Sequence, residues 1–177
     1  MTETTSDSVL LAIKVTIGYD DQQDRVSFCF ETSSGQAVKA WVTCRLLCAA
    51  VPHLLARLTG GAPGINRKQL SGSGNDRTDK QSPKGSAPVT VDTATPSFLV
   101  NSIDISSREG ELRLLMKGEQ ESFCVALHLT YLEAQRCLKA IRRCFEVADW
   151  PSAMWQDDGS REQRPLLQSN AAMTTLH

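Results

Sequence analysis

Very few of the residue arrangements that carry chemistry occur in this chain of 177 residues. There are only three histidines, and aromatic residues make up 6%. Glycine clusters at 60–64 and 71–74 do not stand between a strand and a helix, so neither is a phosphate-binding loop. The short-loop Cys-x-x-Cys knuckle of a zinc site is missing. Asp20, Asp21 and Asp24 share a turn but lack the spacing of a calcium loop. Net charge is −1, so no global field draws nucleic acid or an anionic membrane. No apolar run approaches the length of a membrane-spanning helix. The apolar stretch 9–19 follows Glu3 and Asp7 and is interrupted by Lys14, unlike a secretory signal. These absences set the expectation of a cytoplasmic, non-enzymatic protein with no cofactor, no bound metal and no membrane contact.

What the chain does have is a well-signalled strand and helix over 121–150. Phe123, Val125, Leu127 and Leu129 alternate with Cys124, Ala126 and His128, the period of a half-buried strand. At Thr130 the period changes. Ala134, Cys137, Leu138, Ile141, Cys144, Phe145 and Ala148 follow helical spacing, with Gln135, Arg136, Lys139, Arg142 and Arg143 mainly opposite. Thr130 and Glu133 have the spacing of a capping box, and Pro151 stops the helix.

A weaker copy lies upstream. Val9, Leu11, Ile13, Val15 and Ile17 alternate with Leu10, Ala12, Lys14 and Thr16 in a long first strand. Val26, Phe28 and Phe30 mark a second, and Val38, Ala40 and Val42 a third. Thr43 then caps a helix with a stripe of Leu47, Val51, Leu54, Leu55 and Leu58, in which Pro52 predicts a kink or a break. The second half repeats this order. Ile17 matches Ile103 and Val26 matches Leu112, both 86 positions on, and Thr43 matches Thr130, 87 on. Each half alone is of a size at which an isolated domain is only marginally stable. The expected fold class is therefore α+β: two pseudo-repeated β-β-β-α units in one mostly antiparallel six-stranded sheet, with two helices on one face. The halves span 8–59 and 97–155. Polar composition predicts disorder over 1–7, over a linker at 60–96 and over a tail at 156–177.

Six cysteines fall on strands and helices rather than in loops, which suits reduced apolar side chains more than disulfide staples. Cys44 and Cys48 are one helical turn apart, with His53 and Cys137 the further ligands a zinc site would need. Core thiols account for that spacing. No cysteine stands in a recognised motif with His53 or His128, so no catalytic residue is assigned.

The candidate interaction surface is Trp41 with Lys39 on the outer face of the third strand, and the basic face Arg136, Lys139, Arg142 and Arg143. The leading expectation is a protein-protein interaction or assembly protein of the bacterial cytosolic type, binding a protein partner or itself. The alternative is single-stranded nucleic-acid binding. Repeated sheet-plus-helix units resemble the layout of the PUR-type and whirly-type binders, which use four strands per unit where three are counted here. That resemblance implies sheet aromatics beside basic residues, and Trp41, Lys39 and Arg25 are the matching group.

Overall fold

The computed structural model describes residues 9–61, 87–108, 110–119 and 123–155. The expected disordered terminus at 1–7, the tail at 156–177 and positions 62–86 of the expected linker lie outside them.

The first half runs β1 (Leu10–Asp20), β2 (Arg25–Thr32), β3 (Ala37–Val42) and α1 (Cys44–Gly61). The second runs β4 (Ser97–Arg108), β5 (Glu111–Gly118), β6 (Cys124–Thr130) and α2 (Tyr131–Val147), followed by a 3-10 turn at Ala153–Trp155. The expected open sheet with both helices on one face is incorrect. The six strands form a closed barrel in chain order. Within each half the neighbours are antiparallel. Between halves, Lys39–Trp41 pair in parallel with Ser97–Leu99, and Leu10–Ala12 with Val125–Leu127. The cause is the odd strand count. Three strands carry the chain across and a helix returns it, so the next half starts in the direction in which the last strand ended. Its first strand is parallel to that neighbour, and closing both seams removes the free edges that an open sheet would expose.

Each seam is short because β1 and β4 divide their pairing. In β1, Leu10–Ala12 face β6 while Lys14–Asp20 pair only with β2. Beyond the seams the helices fill the gaps, α1 against β4 and α2 against β1. Inward strand residues Phe28, Phe30, Val38, Leu114 and Leu127 and helix residues Leu47, Val51, Leu58, Leu138 and Phe145 belong to one core. The helices are thus part of the barrel's filling rather than a layer upon a sheet. The crevice left between Phe28, Leu114, Leu54, Leu138 and Ile141 holds about 20 Å³, space for no more than one water.

A bulge in β1 changes which side chains are inside. Ala12 faces Thr32 and Lys14 faces Glu31, so Ile13 is the extra residue. Inner alternation therefore runs Leu10, Ala12, then Val15, Ile17 and Tyr19. Val9, Leu11 and Ile13, which continue the same sequence alternation as Val15 and Ile17, instead face outward and are 44%, 44% and 63% exposed. A bulge at the same place in β4, between Val100 and Ser102, shows the structural repeat. It also corrects the alignment: Ile17 faces Phe28 and Ile105 faces Leu114, so Ile17 corresponds to Ile105 rather than Ile103. The turn after β4 is two residues shorter than that after β1, as the closing pairs Arg108–Glu111 and Asp20–Arg25 show.

Pro52 neither breaks α1 nor starts a second helix, and it sits on the exposed side. α2 ends before Pro151. Its chain reversal is made by Asp149 in the left-handed region (φ 53°). Trp150 N–H then donates to Phe145 O at 3.0 Å, and the two rings meet edge to face at 5.2 Å. This is a Schellman closure with its accompanying apolar contact. The described part of the linker, 87–96, is tied down at both ends. Val89 N–H donates to Thr16 Oγ1 at 2.9 Å, and Lys39 N–H donates to Pro96 O at 2.9 Å. Those anchors lie either side of Cys29, which is buried although it is on the outer face. No helix among the described residues is long and apolar enough to cross a membrane.

The bulge makes a distinction that deletion can read. Removing Ile13 leaves Ala12 opposite Thr32 and Lys14 opposite Glu31, so the variant keeps a cooperative urea transition and loses roughly 1–2 kcal/mol. Removing Thr16 instead turns one side of β1 inside out and abolishes cooperative unfolding.

Candidate interaction surface

With the barrel interior filled, the outer surface is where a partner can be met. α2 is positioned for this by its start. Thr130 is extended and its hydroxyl accepts from Glu133 N–H at 3.4 Å, while Glu133 Oε2 accepts from Thr130 N–H and from the Thr130 hydroxyl, both at 2.8 Å. The capping box fixes the helix's rotation and its first turn. Ala134, Leu138, Ile141, Cys144 and Phe145 are buried. The opposite face is a single line. Leu132, Arg136, Lys139, Arg143 and Val147 follow at intervals of four, three, four and four, all within about one third of the helix circumference. All five are exposed, Leu132 at 57% and Val147 at 67%. Arg136, Lys139 and Arg143 enter no ion pair among the described residues. Arg142, expected on this face, turns to the flank and its Nε donates to Glu146 Oε1 at 3.2 Å. The terminal aliphatics of the line were not identified from the sequence, although the i, i+4 spacing of Leu132 and Arg136 carried the signal.

Trp41 lies on the outer face of β3, as expected, but it is half-buried and engaged. Lys39 Nζ stands 3.8 Å above the ring centroid, a cation–π contact that occupies one ring face. Arg25 is on the adjacent strand, at the next outward position from the ring's neighbour Ser27. A second outer feature is the exposed aliphatic group Val9, Leu11 and Ile13 on β1, with Leu11 lying over a buried Ala126 on β6 beside the partly exposed Leu115 on β5.

An open groove of about 820 Å³ lies at the β4–β5 tip, lined by Ser106, Arg108, Glu111, Arg113 and His128 among others. Ser106, Arg113 and His128 form one cross-strand row. Ser107 Oγ accepts from Arg57 at 3.0 Å, and no hydrogen bond joins His128 to a serine among the described residues. The groove therefore has mixed charge.

The carboxylates of the β1–β2 turn are used internally. Asp20 Oδ1 accepts from Gln22 N–H and Gln23 N–H. Asp24 Oδ1 accepts from Tyr19 Oη at 2.7 Å and Trp150 Nε1 at 3.0 Å. That bond to Asp24 pushes the Tyr19 phenol up to about 12. Of the thiols considered as ligands, Cys44 and Cys48 are brought to 3.8 Å between sulfurs. Burial, then the hydrogen bond to Cys48, push the Cys44 thiol up to about 11. Cys137 instead lines the apolar crevice, where burial holds its thiol protonated. His53 is on the exposed side of α1. Among the described residues no three His, Cys, Asp or Glu side chains converge on a metal position.

No protein-family model, no curated protein and no solved structure matches the chain.

The capping box that orients α2 titrates. Its two bonds from Thr130 hold the Glu133 carboxyl below its ordinary value. With the folded value below the unfolded one of about 4.3, the box stabilises above that pH, and the gain is lost as pH falls through the folded value. Glu133→Gln therefore lowers stability by about 0.5 kcal/mol at pH 6. Urea denaturation at a series of pH values shows wild type and variant converging as pH falls below the ordinary carboxylate range.

Proposed function

We propose that this chain is a non-enzymatic binding module that docks an acidic protein partner on the solvent face of α2. One observation carries the reading: three exposed cations stand in line between two aliphatic side chains that are each more than half exposed. Exposed Leu132 and Val147 contribute nothing to the core, while an amphipathic partner could cover them. Arg136, Lys139 and Arg143 between them supply charge complementarity, which selects partners and sets the association rate. The scaffold behind is a capped helix held in a packed core, so the surface is presented without a folding step. Trp41 does not favour a nucleic-acid partner, because Lys39 already covers the ring face on which a base would stack.

The test is affinity capture from source cells, followed by binding measurements on the purified pair. Wild type binds the partner at low salt and releases it as salt rises. The charge-reversed Arg136→Glu, Lys139→Glu, Arg143→Glu variant binds at least about tenfold more weakly, with an unchanged circular dichroism spectrum. A partner held equally well by wild type and variant contradicts the proposal. So does a labelled single-stranded oligonucleotide that binds wild type and is lost on reversal while no protein is bound.

A further inference from the structure

Cys44 and Cys48 open α1, and their placement is fixed by the backbone. Thr43 caps the helix: Leu46 N–H donates to its hydroxyl at 3.3 Å and Leu47 N–H to its carbonyl at 3.1 Å. The two cysteines are one turn apart, both partly exposed, with sulfurs 3.8 Å from one another. Side chains at this spacing start from Cβ atoms about 5–6 Å apart. A disulfide needs about 3.5–4.5 Å, so direct closure would distort the first turn. The gap instead suits one atom bonded to both sulfurs.

Ligand count selects the atom. Zinc completes four ligands, and the described residues bring no third group to this pair. Calcium and magnesium take oxygen donors. A soft monovalent ion takes thiolates and is satisfied by two. We propose that Cys44 and Cys48 form a two-thiolate chelate for a single soft monovalent ion of the Cu(I) class. On binding, both S–H protons leave to solvent and two S–metal bonds form, giving a complex of charge −1 with no change of oxidation state. The other sulfurs are poor competitors: Cys29, Cys124 and Cys144 are buried, and Cys137 faces the apolar crevice.

The experiment is an anaerobic titration of the full chain against a chromophoric Cu(I) chelator. Wild type withdraws one equivalent of Cu(I). Cys44→Ser and Cys48→Ser each lose that competition, and Cys137→Ser behaves as wild type. A double Cys44→Ser, Cys48→Ser variant that holds Cu(I) as tightly as wild type overturns the proposal, as does a wild type that withdraws none. A probe that needs no variant checks the same geometry. Phenylarsine oxide condenses with two adjacent thiols, forming two As–S bonds and releasing one water. Peptide mapping places the bridge on Cys44 and Cys48, and an adduct confined to other cysteines contradicts the proposal.

Discussion

Two parallel seams hold this barrel shut, Lys39–Trp41 against Ser97–Leu99 and Leu10–Ala12 against Val125–Leu127. Each is three residues long, and each joins the end of one half to the start of the other. Without them each half is a three-stranded meander with exposed edges and a helix stripe lacking half its cover. With them, the inner faces of all six strands and the apolar faces of both helices converge on one core. The short seams also explain the helices' location. Where β1 leaves β6, and where β4 leaves β3, the helices close what the strands leave open.

That filling moves the functional question to the surface. Among the described residues, the two helices packed into the barrel's core leave an apolar crevice of about 20 Å³ there. The polar groups of the turns largely serve internal bonds: Asp24 joins the first turn to Trp150 across the chain, and Thr130 with Glu133 starts α2. What remains unspent outside is the line from Leu132 to Val147 and the group Val9, Leu11 and Ile13 that the β1 bulge turns outward. Both present side chains that a core would normally claim.

Much of this was legible in the residues. The strand-to-helix change at Thr130, its capping box and the order of elements follow from local chemistry, because they depend on neighbours in sequence. The barrel did not follow, because alternation reports which face a side chain occupies and is silent about which strand lies beside it. The change of face between Ile13 and Val15 was hidden for a related reason. Ile13 continues the apolar alternation of Val9, Leu11, Val15 and Ile17, so nothing in the pattern marks the extra residue. Trp41 and Lys39 were placed on the outer face correctly, but their contact with each other depends on rotamers. Arg136, Lys139 and Arg143 were legible from helical spacing, whereas the turn of Arg142 towards Glu146 depends on a particular ion pair.

Closure is the claim on which the rest depends, and NMR reads it directly. Parallel seams place the backbone protons of Ala40 and Phe98, and those of Leu11 and Ala126, within nuclear Overhauser range. The account predicts inter-strand Overhauser effects at both seams in the same sample, with the parallel pattern of Hα and amide contacts. An assigned spectrum with the four antiparallel ladders present and either seam silent would contradict it: one silent seam leaves an open sheet, and two leave separate three-stranded meanders.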